Sequence, residues 1–133
     1  MREILFRGKA ACGAWVQGDL INRKIWYSEF KVIRAEDSGF DNYIEYEVIT
    51  ETIGQYTGLT DKNGKKIFEG DNVQAFLPAT VVQREFAWPV MQVVFSRGAF
   101  GLSDSRGEVT PFRSFSPRVE FEVVGNVFDE GEE

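Results

Sequence analysis

The dominant period along this chain is two. Short runs either alternate apolar and polar residues or are dense in β-branched and aromatic side chains, which is the pattern of half-buried strands. Tyr43-Ile44-Glu45-Tyr46-Glu47-Val48-Ile49 sets Ile44, Tyr46 and Val48 on one face and Glu45 and Glu47 on the other. Before it, Ile4-Leu5-Phe6 opens, a turn region follows over residues 8–13, and residues 15–21 read as a strand interrupted at Gly18. Ile25-Trp26-Tyr27 reads as the next strand, which leaves Asn22-Arg23-Lys24 as the hairpin loop between them. Residues 30–33 are strand-like and precede a polar loop over 34–42.

The second half is cleaner. Apolar residues alternate over 53–59 and resume at Lys66-Ile67-Phe68, and Val73, Ala75 and Leu77 alternate before Pro78. Residues 80–86 and 90–95 are strand-like around Ala87-Trp88-Pro89, and Ser96-Arg97-Gly98 turns into Ala99-Phe100-Gly101-Leu102. Gly98-Ala99-Phe100-Gly101 reads as a strand that lets another backbone approach closely. Residues 119–124 end the pattern with Val119, Phe121 and Val123 in register. A short helix fits only at 28–38 or 112–116. The chain is predicted to be mainly β, in short twisted strands with little helix.

Two corners carry the strongest local chemistry. In Asp61-Lys62-Asn63-Gly64 the aspartate can accept hydrogen bonds from the next backbone amides, asparagine tolerates a left-handed backbone, and glycine takes positive φ. This predicts a hairpin connection over 61–65 with Gly64 at positive φ. Phe68-Glu69-Gly70-Asp71-Asn72-Val73 repeats the grammar, a Gly-Asp corner feeding a new strand. Such corners are common in small SH3-like barrels, so a barrel-like arrangement is expected for the C-terminal half.

Taken together, residues 55–73 (Gln55-Tyr56-Thr57-Gly58-Leu59-Thr60-Asp61-Lys62-Asn63-Gly64-Lys65-Lys66-Ile67-Phe68-Glu69-Gly70-Asp71-Asn72-Val73) resemble the signature of the YopX family of phage and prophage proteins. That signature reads Tyr-Thr-Gly-Leu-x-Asp-x-x-Gly-x-x-Ile-Tyr/Phe-Glu-Gly-Asp-x-Val. Residues 2–7 look like the family's Arg-x-Ile-x-Phe-Arg opening, and Glu122-Val123-Val124-Gly125-Asn126-Val127-Phe128 like its closing Glu-Val-Ile-Gly-Asn-Ile-Tyr. Over 24–50 and 78–118 the match is only in pattern. The resemblance implies one YopX-like domain over 1–128, with an N-terminal subdomain 1–52 and a barrel-like subdomain 53–128, followed by an acidic tail at 129–133. It implies a small, phage-encoded, mostly β protein and supplies no catalytic activity.

Composition narrows the chemistry further. There is no histidine, which removes Ser-His-Asp and Cys-His catalysis, imidazole ligands and imidazole pH switching. The single cysteine, Cys12, excludes an intramolecular disulfide and a Cys-cluster zinc site, and reads as a passive thiol. Of the net charge of −6, residues 129–133 carry −4 and residues 61–128 are neutral. The acidity is therefore mostly that of the tail and argues little against an anionic partner. No run approaches the length needed to span a bilayer and nothing reads as an export signal, so a cytoplasmic location in the host cell is expected.

Asp61, Glu69 and Asp71 could form an acid/base pair or a hard-cation site, but turn capping accounts for both aspartates and strand exposure for Glu69. Glycine-rich phosphate cradles are absent from the sequence. No catalytic, metal or cofactor residues are therefore assigned, and the expected cofactor is none. The remaining candidate is a binding face. Arg84, Arg97, Arg106, Arg113 and Arg118 are interleaved with Phe86, Trp88, Phe95, Phe100, Phe112 and Phe115. Arginines and aromatics on one face of a barrel grip single-stranded nucleic acid, with Arg84, Trp88, Arg97, Phe100 and Arg113 the named candidates. The preferred reading is a non-catalytic accessory protein that binds a phage or host protein and associates with itself, because 19 aromatic side chains need cover and short strands leave edges.

Overall fold

Alternation becomes strand almost everywhere in the computed structural model, which describes residues 4–37, 42–78 and 86–128. The protein is mainly β, and its curled, half-barrel sheet agrees with the small barrel-like fold expected from the sequence. The chain divides into two compact units, Met1–Tyr56 and Thr57–Glu133. The acidic tail, Arg84 and most of the strand expected at 80–86 lie outside the described residues.

In the first unit, β1 (Phe6–Lys9), β2 (Trp15–Ile25), β3 (Ser28–Asp37) and β4 (Asn42–Glu47) are followed by a 3₁₀ turn at Thr50–Thr52 and the start of β5 (Gly54–Thr60). Their order is β4-β3-β2-β1-β5, and each described pairing is antiparallel. β2 is one continuous strand that changes partner at Gly18, pairing with β1 over 15–18 and with β3 over 19–25. A Cβ on Gly18 would lie 2.1 Å from the Arg34 carbonyl oxygen. Gly18 is thus the crossing point of the strand, where only glycine lets β3 approach, and not an interruption. Val32 and Ile33 of β3 are 4% and 0% exposed and anchor the unit. Thr52 ties the 3₁₀ turn to β1, its hydroxyl accepting from the Lys9 amide at 2.8 Å and donating to the Ile49 carbonyl at 2.6 Å.

Two local expectations are overturned here. The hairpin loop is not Asn22-Arg23-Lys24. Those residues continue β2, opposite Lys31, Phe30 and Glu29, and the chain reverses at Trp26-Tyr27 between the paired Ile25 and Ser28. Nor does the polar loop begin at Arg34: the strand read at 30–33 extends over 28–37 as β3, held on both sides by β2 and β4, and leaves no room for a short helix at 28–38. Tertiary pairing outweighs the turn preference of Asn22 and the strand preference of Trp26. Glu45, on the outer strand β4, bridges the sheet by accepting from Arg23 of β2 and, at 3.2 Å, from Arg34 of β3.

In the second unit, β6 (Lys66–Phe68), β7 (Asp71–Leu77), β8 (Phe86–Ala87), β9 (Met91–Ser96), β10 (Ala99–Ser103) and β11 (Val109–Pro111) precede a 3₁₀ turn at Phe112–Ser114 and β12 (Glu120–Asn126). The sheet order is β11-β10-β9-β7-β12, with β8 also on β7. Ile67, Val73, Ala75, Met91, Val93 and Leu102 form the core, with Trp88, Phe112, Phe115, Val119, Phe121 and Val123 packed against it. Within the run 98–101 the close backbone approach falls at Gly101, where a Cβ would sit 2.7 Å from the Thr110 carbonyl oxygen of β11, while a Cβ on Gly98 meets nothing within 4 Å. β9 and β10 are joined by a two-residue reversal with Arg97 at φ 52° and Gly98 at φ 81°, both in the left-handed region that such hairpins need.

Candidate functional site

The second unit carries a groove of about 750 Å³, a size suited to a small ligand or a few inserted side chains. Its walls come from four parts of the chain. Leu77 ends β7, Trp88, Pro89 and Val90 lead into Met91 of β9, Phe115 follows the 3₁₀ turn, and Val119 precedes β12. The rim is polar, with Asp104, Ser105 and Arg106 on one loop and Thr110, Ser114 and Ser116 beside it.

Trp88 is fixed at both ends of its peptide unit. Its amide donates to the Ala75 carbonyl at 2.9 Å, and its own carbonyl accepts from the Gln74 side-chain amide at 3.1 Å. Its ring then opens a run of edge-to-face contacts. Phe86 lies 5.0 Å away on one side and Phe115 5.8 Å on the other, and Phe115, Phe121 and Phe112 continue at 5.4 and 5.2 Å. Such pairs favour fixed ring orientations, so the apolar wall is held in shape by aromatic packing.

The Asp104 loop fixes the rim. The Asp104 amide donates to the Glu108 carbonyl at 2.9 Å, Gly107 donates back to the Asp104 carbonyl at 3.0 Å, and Gly107 has φ 86°. The Asp104 carboxylate accepts from the amides of Arg106 and Glu108 at 2.9 and 3.0 Å. Partial burial acts to raise this carboxyl, but the two amides and the Arg106 charge outweigh it and hold the group below the ordinary carboxylate range. Arg106 lies 3.5 Å from Asp104 and 3.4 Å from Glu108, with its side chain 77% exposed. A guanidinium so exposed is weakly held and can turn to an incoming group.

The same loop geometry occurs at 61–65. The Asp61 amide donates to the Lys65 carbonyl at 2.8 Å, the Gly64 amide to the Asp61 carbonyl at 3.0 Å, and Gly64 has φ 83°. Asp61 is 7% exposed, and its carboxylate accepts from the amides of Asn63 and Lys65 at 2.9 Å each and from Val123 of β12 at 3.0 Å. Burial alone would raise its carboxyl, yet the amides of Val123, Lys65 and Asn63 hold it below its ordinary value. The Lys62 amide donates to the Phe121 carbonyl at 2.8 Å, its ammonium lies 4.5 Å from the Phe76 ring centre, and Glu122 is 3.7 Å away. Asn63 takes no positive φ; Gly64 alone supplies it in this loop. At the next corner Gly70 has φ 95° and donates to the Val93 carbonyl at 3.0 Å, while Asp71, 1% exposed, accepts from the Phe68 amide at 2.8 Å.

The interleaved arginines and aromatics are distributed as follows. Trp88 and Arg106 meet at the groove. Phe100 is buried and packs edge-to-face on Phe95 at 4.9 Å. Arg97 is exposed at the β9–β10 reversal, Arg113 is exposed in the second 3₁₀ turn, and Arg84 lies outside the described residues. Cys12 is exposed in the loop between β1 and β2. Among the described residues no three carboxylates or thiols converge as metal ligands, and no helix is long and apolar enough to cross a membrane.

The family model described as YopX protein matches residues 5–132, nearly the full chain. The protein belongs to the YopX family. No curated protein and no solved structure matches the chain significantly. The YopX signature at 55–73 contains the capped loop and the Gly-Asp corner, whose two aspartates accept from backbone amides. The groove is built outside it, over 77–119, where the resemblance is only one of pattern. Sequence reasoning does not single out Met91 and Val119 as groove walls, or Asp104 as the rim anchor. The order Asp104-Ser105-Arg106-Gly107 does repeat Asp61-Lys62-Asn63-Gly64, and that echo is the signal that locates the rim loop.

Proposed function

We propose that this YopX-family protein acts by binding another protein, without catalysis, as a phage or prophage accessory protein in the host cytoplasm. The carrying observation is the groove itself, walled by Leu77, Trp88, Met91, Phe115 and Val119 and edged by hydroxyls and one exposed guanidinium. A shape of that kind takes an apolar or aromatic side chain and orients it by a few polar contacts at the rim. The lack of histidine and the use of Asp61 and Asp71 as backbone caps support a binding role over a chemical one.

Isotope-labelled protein titrated with short peptides containing tryptophan and tyrosine, and separately with single-stranded oligonucleotide, tests this reading. The expected result is saturable shifts at residues 88–91, 104–106 and 114–119 with peptide, little changed by salt. An oligonucleotide complex that weakens steeply with salt and shifts Arg97 and Arg113 instead would replace it with the nucleic-acid reading.

A further inference from the structure

The β2–β3 reversal is chemically the wrong turn for folding. Two-residue hairpin turns need a left-handed backbone, which Asn, Asp and Gly accept at little cost. Here Trp26 occupies it at φ 58°, an outlying conformation for a bulky side chain. Its burial offers no compensation, because Trp26 is 86% exposed, Tyr27 98% and Ile25 56%. Three consecutive large apolar residues therefore stand at the tip of a long hairpin. Nothing in the packing of the first unit accounts for them, and surface of this kind marks an interaction site.

Building on the binding role proposed above, we infer that the groove's occupant is the Trp26-Tyr27 tip of a second copy of this chain. Three features of the two surfaces match. A groove of about 750 Å³ lies within the range that encloses a ligand larger than two aromatic side chains, and its walls are apolar. A buried indole N–H and phenol O–H each need a polar partner, and the rim supplies Ser105, Thr110, Ser114 and Ser116. Next behind the Ile25–Ser28 pair that closes the turn, Lys24 and Glu29 are a cross-strand pair of opposite charges, and the rim presents Asp104 and Arg106, also opposite. One approach therefore sets Lys24 toward Asp104 and Glu29 toward Arg106, and the reversed approach sets like charges together.

Such a contact joins unlike surfaces. It either closes as a reciprocal pair, each copy's tip in the other's groove, or continues from copy to copy as a ring or chain.

Sedimentation velocity of the full chain from low to high micromolar concentration tests the inference, with two variants whose folding is checked by circular dichroism. Trp26→Gly removes the knob at a backbone position that glycine prefers, and Ser114→Arg blocks the groove from an exposed position. Wild type is expected to grow with concentration. Each variant alone is expected to remain monomeric, with association weakened at least about thirtyfold, the size of a hot-spot truncation. Mixed in equal amounts, the variants should form a complex that stops at two molecules, because one supplies only the groove and the other only the tip. A mixture that stays monomeric while wild type associates would place the contact elsewhere and overturn the inference. A wild-type protein that is monomeric throughout, yet still takes aromatic peptides in the groove, would also overturn it while leaving the binding role standing. Failure of both peptide and second copy to engage the groove would remove the binding role itself.

Discussion

The β5–β6 loop and the β2–β3 turn both reverse an antiparallel pair, and both hold a residue in the left-handed region, Gly64 at φ 83° and Trp26 at φ 58°. Around Gly64 the Asp61 carboxylate and the loop amides serve the fold. Asp61 caps two amides of its own loop and a third 62 residues away, and Lys62 donates to β12. Around Trp26 the chemistry is inverted, with large apolar side chains facing water where a turn former would be cheaper. The first turn is what selection for stability produces. The second spends a strained backbone on side chains that the first unit leaves exposed.

The comparison breaks most sharply at Asp61. Asp61→Ala strips the acceptor from the amides of Asn63, Lys65 and Val123, and the last of these joins the loop to β12. A buried donor left unmade costs about 1–3 kcal/mol, and solvent reaches the Asn63 and Lys65 side of the loop, so about 3 kcal/mol of stability should be lost in all. Tyr27→Ala, by contrast, should move the denaturant midpoint by no more than about 0.5 kcal/mol, the range of exposed positions. Paired urea titrations check both. Equal losses at the two turns would erase the distinction between them.

Gly64→Val comes next. A Cβ there meets nothing within 4 Å, so the whole penalty is conformational. It should amount to about 1–2 kcal/mol, and Gly107→Val, in the matching loop at φ 86°, should cost a similar amount. A melting curve unchanged by Gly64→Val would show that the loop can adopt another backbone.

Acid sharpens the contrast in a different way. The Asp61 carboxyl is held below its unfolded value of about 3.9, so its contribution is full above that pH and is lost as pH falls through the lower folded value. Asp61→Asn should be less stable at neutral pH and should lose less on acidification than wild type, because it has no proton to take up. Chemical denaturation from pH 7 to pH 3 reads this directly. Parallel curves for the two proteins would mean that Asp61 is not a linked group.

How much of this is legible in the sequence follows from how local each feature is. Asp61 to Gly64 is a contiguous turn grammar, and Gly101 sits inside an alternating strand, so neighbouring residues alone reveal both. The groove has no such local mark. Leu77, Met91, Arg106, Phe115 and Val119 come from separate elements that the β7–β9, β9–β10, β10–β11 and β7–β12 pairings bring together. The first hairpin misleads for a related reason. Asn22 has the propensity of a turn and Trp26 that of a strand, and the structure reverses both roles. Local propensity reports what folding prefers, and it fails at Trp26, which holds a left-handed backbone while staying exposed.

The last expected effect is the most telling, because its sign is opposite to the rest. Trp26→Gly relieves a left-handed conformation that costs a side-chain-bearing residue about 1–2 kcal/mol. Glycine gives back about 0.5–1 kcal/mol through the greater freedom of the unfolded chain. With the indole 86% exposed, little burial is forfeited. The variant should therefore be as stable as wild type or up to about 1.5 kcal/mol more stable, measured under dilute conditions where any self-association is absent. A loss of stability of the size expected at Gly64 would mean that Trp26 packs to hold the first unit together, and its exposure would then need another explanation. A gain, coupled to loss of association at higher concentration, would show a residue retained against the interest of the fold for the sake of what it touches.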